Sequence, residues 1–523
     1  MKRRNFIKNA GAVASLPIFV NGMKLSALSN SSLFDFVDPA SDRVLVLIQM
    51  NGGNDGLNMV IPRDQYDGLA AVRNNIMIPE AKVLKLTNKV GVHPAMTGVK
   101  SLYDDGKLTV VQAAGYPNQN RSHFRSTDIW TSGSPATQFW NTGWMGRYFE
   151  EDDPAYPEGY PNAEHPHPFA ITMGSIVSET CQGTAVNYSL TLENPFNLFP
   201  LTEGEGGQMT DTPYGRELSF LRTSIAQTNA YAETITAAAN GGGNKATYPE
   251  NNRLASQLKN IALLIGGGLQ TKVYIANIGG FDTHANQVVG GDTTTGNHAD
   301  LLKMLSDAIT AFQNDLKLQG IEERVVGMTF SEFGRRIRSN ESSGTDHGTA
   351  APLLVFGSCV KTGILGENPE ISSEIDNEEG VPMQHDFRDV YGSILKDWFG
   401  ASTSEVKTLL YPEFQYLPLL RDCNAATATE GLVPQERELQ INNYPNPFST
   451  ITNITFQLPE DDWVRLSVFD ALGSELQVLF NKRLNSGAHQ VSFDGAHLAN
   501  GVYFYRLQIG NQVKTKRMVK VGG

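Results

Sequence analysis

The chain has 523 residues, 40% of them hydrophobic and 19% charged, enough apolar side chain for a large core and more length than one ordinary domain uses. A formal net charge of −13 excludes the broad basic face that nucleic-acid binding requires. The three cysteines, Cys181, Cys359 and Cys423, are too widely spaced for a zinc knuckle or a C-x-x-C redox motif and allow at most one disulfide.

At the start, MKRRNFIKNAGAVASLPIFV joins a basic segment, Lys2 to Arg4, to a short apolar run. Residues 1–28 read as an export signal, too short and too weakly apolar to span a bilayer stably. Arg3-Arg4 followed by Phe6, Ile7 and Lys8 resembles the twin-arginine signal, which exports proteins already folded. That route suits an enzyme loaded with metal before export. No other stretch is long and apolar enough to cross a membrane, so no transmembrane anchor is expected in the mature chain.

Residues 29–422 read as the main domain. Arg43 to Met50, RVLVLIQM, is a continuous apolar run, the mark of a strand buried on both faces. It ends in NGGNDGLNM, where two glycines let the backbone turn sharply ahead of Asp55. A plain strand-to-helix turn uses the same residue types, Asn51 and Asp55 included. Met96, Val99 and Leu102 predict a helix over 95–103, and Leu108 to Ala113 a second buried strand. That strand runs into a polar cluster, Asn120 to Arg125, at what reads as a helix start. Free N–H groups and the positive dipole end favour an anion there. Ser122 is then a candidate nucleophile beside His123, with Arg121 and Arg125 to hold a phosphate or sulfate oxygen. An N-cap serine and a packed histidine account for the stretch equally well.

Residues 139–213, rich in Pro, Gly, Asn and aromatics, are expected to form long loops over the core, with Trp140, Trp144, Tyr148 and Tyr160 packing that cap. Helical periodicity follows over 213–240 and 253–267. A third buried strand, 271–278, ends in GGFDTHANQ, which carries Asp282 and His284. After a helix over 299–318, a fourth strand, 324–330, leads into SEFGRRIRSNESSGTDHG and the next strand, APLLVF. This loop supplies Glu332, Arg335, Asp346 and His347. His385 and Asp386 read as capping or surface groups ahead of a further helix.

The alternation of strands and helices implies an α/β domain with a doubly wound, mostly parallel sheet and helices on both faces. Ligands of such sheets gather beyond the carboxyl ends of the strands. Asp, Glu and His are the donors that divalent metals take. The metal set expected at that edge is Asp55, Asp282, His284, Glu332, Asp346 and His347, holding Zn, Ca or Mg. The catalytic set is Ser122, His123, Arg121 and Arg125, with Arg335 adding charge for an anion.

VLIQMNGGNDGLN, VHPAM, NRSHFRSTDIWTSG, GGFDTH, SEFGR and GTDHGTAAPLLVFG, in this order over about residues 43–400, together resemble the domain of unknown function 1501 family. That family is placed with the alkaline phosphatase and sulfatase-like superfamily. The resemblance implies metal-assisted hydrolysis of phosphate or sulfate esters, with a small or polymeric anionic ester as substrate. It aligns Ser122 with the nucleophile position, Asp282 and His284 with metal donors after a middle strand, and His347 with the late histidine. Ser331-Glu332 stands where the superfamily has Asp-His, and Asn51 or Asp55 where it has Asp. A one-metal, altered or degenerate site fits these departures. So does a non-catalytic surface protein with a sulfatase-like fold that binds a glycan or polyanion. C-x-P-x-R is missing, which excludes a formylglycine nucleophile.

Residues 423–438 read as a linker. From 439 to 523 short alternating strands separated by turns predict a small all-β sandwich. Tyr444-Pro-Asn-Pro-Phe448, FDALG, Gly501-Val-Tyr-Phe-Tyr505 and the closing KTKRMVKV resemble the type A C-terminal sorting domain of type IX secretion. That resemblance implies handling by the type IX machinery, passage through the periplasm, and delivery to the cell surface or the medium.

Overall fold

The computed structural model describes residues 42–154, 156–162, 165–198, 228–421, 423, 441–458, 462–470, 475–509 and 512–522, with two short paired strands at Phe19–Val20 and Met23–Lys24. The twin-arginine-like residues Arg3 and Arg4 and nearly all of the 423–438 linker lie outside the described residues. The chain divides into two compact units, one spanning 31–426 and the other 427–523 with 1–30.

The larger unit is built on a nine-stranded sheet. Its strands are β1 (Val44–Asn51), β2 (Leu108–Gly115), β3 (Ala170–Met173), β4 (Ser189–Leu192), β5 (Val273–Gly279), β6 (Val325–Phe330), β7 (Ala351–Phe356), β8 (Gly363–Leu365) and β9 (His385–Asp386). The order is β8-β2-β7-β6-β1-β5-β3-β4, with β9 beside β2. Every pairing is parallel except the two made by β7. This is the mostly parallel α/β sheet that the strand–helix alternation called for.

β1 shows why the central strands read as unbroken apolar runs. Val44, Val46, Ile48 and Met50 face one core, shared with Leu258 and Ile261 of helix Arg253–Gly266 and with Leu302, Leu305 and Ile309 of helix Asn297–Gln319. Leu45 and Leu47 face the opposite core with Trp130, Tyr391 and Ile394. Both faces are dry, so alternation gives way to continuous hydrophobicity. Each such side chain contributes about 1.5–3 kcal/mol on burial.

The reversed strand matters most for function. The carboxyl ends of β1, β2, β5 and β6 lie on one edge of the sheet. β7 runs against them, so its amino end reaches the same edge. The residues just before β7, His347 among them, therefore arrive where the other strands finish. The 324–356 segment thus feeds that edge twice, from the end of β6 and from the start of β7.

The described part of residues 139–213, which ends at 198, differs from the loop-only expectation. It holds a helix, Trp144–Asp152, and two four-residue strands, β3 and β4, which extend the sheet. Those strands are too short to stand out as periodic segments among prolines and glycines. Trp144 is 1% exposed and stacks on Tyr391 at 4.3 Å, so it belongs to the main core. Cys359 and Cys423 form the disulfide, and Cys181 is free and buried.

The second unit holds antiparallel strands in a three-stranded and a four-stranded sheet. The first is Ile441–Tyr444, Ile451–Leu458 and Gly487–Asp494. The other is Glu475–Leu484, Asp462–Phe469, Gly501–Ile509 and Gln512–Lys520. Phe448, Ile454, Leu466, Tyr505 and Leu507 share its core.

Candidate metal centre

Four loops meet at the strand-end edge. After β1, Gly52 adopts φ +121°, and a Cβ there would lie 2.4 Å from the Asp282 amide nitrogen. Only glycine lets the loops after β1 and β5 touch this closely. Arg335 locks them together. Its side chain has no solvent exposure. It donates to the carbonyls of Gly52, Gly53, Phe281 and Thr345 and, at 2.5 Å, to Asp282 Oδ1. Arg335 is therefore spent on loop architecture and on one carboxylate, rather than left free for an anion. It also pairs with His347 in an isolated β-bridge, which brings the loop after β6 against the residues preceding β7.

Around Asp282 three imidazoles converge. His347 Nε2 lies 3.1 Å from His123 Nε2 and 2.9 Å from His284 Nε2. Asp282 Oδ1 lies 3.5, 3.1 and 3.3 Å from the Nε2 atoms of His123, His284 and His347. Each ring is held from behind by an acceptor. His123 Nδ1 donates to Glu332 Oε1 at 2.7 Å, His284 Nδ1 to Asp346 Oδ1 at 2.8 Å, and His347 Nδ1 to the Arg121 carbonyl at 2.8 Å. A carboxylate or carbonyl has no proton to give, so each Nδ1 carries a hydrogen, which leaves Nε2 as the lone-pair position of a neutral ring.

Electrostatics act on three of these groups. Burial works against charge on Asp282, but Arg335 outweighs it and holds the carboxyl below the usual range. Asp346 is likewise lowered despite burial, through His284, Asn340 and Arg336. Burial lowers the pKa of His347, and Arg335 adds to the effect.

The donor set fits a divalent cation. Four N or O donors at about 2.0–2.1 Å from a tetrahedral ion stand about 3.3–3.4 Å apart. His123, Asp282 and His347 form a group whose ligand atoms lie within 4.8 Å of one another, their separations of 3.1, 3.3 and 3.5 Å bracketing that edge, and His284 stands beside it, 2.9 Å from His347 and 3.1 Å from Asp282. A hollow of about 500 Å³ opens beside the cluster, with Asn51, Gly52, His123, Phe124, Asp282 and Glu332 in its walls.

The structure sorts the candidate residues. It brings Asp282, His284 and His347 together, and the ring of His123, expected among the catalytic groups, lies with them. Glu332 and Asp346, expected as ligands, stand behind the imidazoles. Glu332 accepts from the Gly52 amide and from Ser331 as well as His123, so its oxygens are taken.

Asp55, also expected as a ligand, is elsewhere. It is 1% exposed, paired with Arg73 Nη1 at 3.0 Å and bonded by Gln287 Nε2 at 2.6 Å. Arg73 and Gln287 were not singled out in the sequence, because nothing in their spacing marks them as partners of a residue far along the chain.

Ser122 is the N-cap residue of helix His123–Ser132, makes no side-chain cap bond, and is not among the described residues lining the hollow. Arg121 serves through its carbonyl, while its guanidinium lies 3.8 Å from Glu378. Arg125 donates to the carbonyls of Pro135, Ala136 and Gln138 and lies over the Phe139 ring, so it fastens a loop rather than an anion.

Two buried histidines outside the cluster carry a pH prediction. His298 bonds Asn54 Oδ1 at 2.9 Å, and His93 accepts from the Ala95 amide at 3.1 Å. Burial depresses their pKa values, to about 4 and about 3. The unfolded chain protonates both below about pH 6.5, while the folded chain does not until lower pH. Stability is therefore expected to fall with pH across this window, by roughly 2–3 kcal/mol per unit near pH 5 for the pair. Urea unfolding at stepped pH measures this slope, and His298→Gln should remove about half of it. An unchanged slope in that variant would refute the assignment.

Residues 227–397 match the family described as protein of unknown function DUF1501, and residues 442–521 match the secretion system C-terminal sorting domain. The sorting domain marks the chain for export to the cell surface or the medium and implies handling by type IX secretion machinery. Among the described residues no helix is long and apolar enough to cross a membrane.

Solved structures similar to the chain include a protein in the alkaline phosphatase superfamily from Vibrio parahaemolyticus, at 10% identity over 88% of this chain and 85% of that one, TM-score 0.32. Another is the PsFucS1 sulfatase from Pseudoalteromonas sp., at 11% identity over 86% and 83%, TM-score 0.32. A third is dimeric latent PorU from Porphyromonas gingivalis, at 16% identity and TM-score 0.14, where the match covers 16% of this chain and only 9% of that one. No curated protein matches the chain.

Proposed function

We propose that this protein is an exported, metal-dependent hydrolase of phosphate or sulfate esters. The observation that carries the reading is the meeting of three imidazoles and the Asp282 carboxylate beside an open hollow. Nitrogen-rich sets of this kind favour zinc over calcium or magnesium, which take oxygen donors. A divalent ion held there supplies Lewis acidity to a phosphoryl or sulfuryl oxygen and lowers the pKa of a nearby hydroxyl or water.

The chain's own groups position the rest. Glu332, Asp346 and the Arg121 carbonyl fix the three imidazoles, and Arg335 keeps Asp282 ionised and in place. Water is the nucleophile in this reading, because Ser122 stands outside the walls of the hollow. Its oxygen bonds to phosphorus or sulfur while the bond to the alcohol oxygen breaks, which releases an alcohol and phosphate or sulfate.

Metal analysis of the purified full chain, with aryl phosphate and aryl sulfate assays, tests the proposal. The expected result is about one zinc per chain, hydrolysis abolished by a chelator and restored by zinc, and activity kept within about threefold in Ser122→Ala but lost at least a hundredfold in His123→Ala. A folded, metal-loaded chain that hydrolyses neither ester class would end it. Loss of activity in Ser122→Ala with metal content intact would move the nucleophile from water to serine.

A further inference from the structure

A second cavity, of about 300 Å³, adjoins the hollow beside the metal centre. Asp128 and Glu179 line both, so the two form one continuous groove. Helix His123–Ser132 is the floor. His123, Phe124 and Thr127 face the first cavity, Asp128 both, and Thr131 and Ser132 the second. These positions recur at i, i+4 and i+8 and form one stripe about 12 Å long.

The far end of the groove is walled by aromatic rings with one face already occupied. The Arg125 guanidinium sits 3.9 Å from the Phe139 ring centre, and that of Arg147 sits 4.8 Å from the Trp140 ring. Phe139 is nonetheless 76% exposed, an unusual state for a ring that is clamped rather than loose. Arg147 is anchored in turn on the carbonyls of Leu409, Thr142 and Ser132, so the platform has a rigid back.

The opposite wall is equally fixed. A Cβ at Gly143 would lie 2.0 Å from the Glu179 carbonyl oxygen, and the Gly143 amide donates to the Gln182 carbonyl at 2.7 Å. This contact sets the aromatic segment against Glu179–Cys181. Between the walls stand the carboxylates of Asp128 and Glu179 and the side chains of Asn141 and Thr142, which supply hydrogen-bond donors and acceptors.

We infer that this groove is a saccharide subsite, and that the ester cleaved at the metal centre is carried on an oligosaccharide whose uncharged distal ring stacks on Phe139 and Trp140. Each observation restricts the ligand. Flat aromatic faces beside amide, hydroxyl and carboxylate groups suit a ring with C–H bonds on one face and hydroxyls at its edge. The stripe is longer than a single pyranose, so more than one ring is needed to span it. Arg125, the one cation lining this cavity among the described residues, is held by Asp128 at 3.9 Å, by three carbonyls and by the Phe139 ring, and Glu179 adds negative charge, so nothing there awaits a second sulfate, phosphate or uronate; the anionic group belongs at the metal end and the distal ring is neutral.

This inference rests on the hydrolase reading for what happens at the metal, but binding at the far end does not need it. The test is an array of neutral, sulfated and uronate-containing oligosaccharides probed with the full chain, followed by calorimetric titration of the strongest neutral binder. Binding of a neutral oligosaccharide of two or more rings is expected. Affinity should fall at least tenfold in Phe139→Ala and in Trp140→Ala and survive chelation of the metal. Phe139 is exposed, so its variant keeps the fold even where Trp140→Ala does not. An array without neutral binders, or binding unchanged in Phe139→Ala, overturns the subsite. Aryl-ester hydrolysis without glycan binding would sink this inference alone. Glycan binding by a chain that hydrolyses nothing would sink the hydrolase reading alone.

Discussion

His347→Ala is expected to lower zinc affinity at least a thousandfold and to abolish ester hydrolysis, with little loss of stability in the metal-free protein. His347 is the hub of the cluster. Its Nε2 lies within 3.3 Å of the other three donor atoms. Removing it opens the set on every side, whereas loss of a group behind an imidazole leaves the donors present but misaimed. Glu332→Gln therefore belongs in the same experiment. Its amide oxygen can still accept from His123 Nδ1 but carries no charge, and a loss of 10–100-fold in metal affinity is the size expected for such partners. Competition with a chromophoric chelator gives both constants. Equal effects from the two substitutions would mean that Glu332 is itself a ligand, as its place in the sequence first suggested. Unchanged zinc affinity in His347→Ala would remove the metal centre altogether.

The edge of the sheet was legible in the sequence, and the division of labour along it was not. Apolar runs followed by Gly, Asp and His mark strand ends, since buried strands and sharp turns each demand particular residues. That logic located Asp282, His284, Glu332, Asp346 and His347 at one place. It could not separate a ligand from the group that orients it. Glu332 and His123 form one hydrogen-bonded pair from loops 209 positions apart, and which of them faces Asp282 depends on which way the β6 and β2 loops turn. Nor could it show that Arg121 acts through its carbonyl, because every residue has one. His347 was found through its place before APLLVF. The reason that place works is the reversal of β7, a matter of pairing order that no local pattern encodes. β3 and β4 were missed because four residues are too few to establish a period.

Asp55 offers the sharpest divergence between residue type and role. An aspartate just past the first strand invites a metal, yet the structure buries it against Arg73, with side-chain exposures of 1% and 0%. Burial alone would raise its pKa. The Arg73 guanidinium and the Gln287 amide reverse that and hold the carboxyl below the usual range. Arg73 also donates to the carbonyls of Arg336 and Ile337, so the pair ties the loop after β1 to the loop after β6. Arg73→Met should leave a buried, uncompensated carboxylate and cost about 3–5 kcal/mol in urea unfolding at neutral pH. The sign of the pH response follows from the pair. Asp55 contributes stability above its unfolded pKa, and that share is lost as pH falls through its lower folded value. The deficit of Arg73→Met should therefore shrink as pH falls, first above about pH 4 as the variant's unpaired buried carboxyl takes up a proton, then below it as the wild-type pair titrates. Adding Asp55→Leu should recover much of the neutral-pH loss, since an apolar pair removes both desolvation penalties, although Gln287 then loses its acceptor. Asp55→Asn completes the comparison. In the arrangement described here it destabilises the fold while zinc binding in the folded fraction persists. If Asp55 were a ligand, the same substitution would release zinc and leave the unfolding curve of the metal-free chain in place.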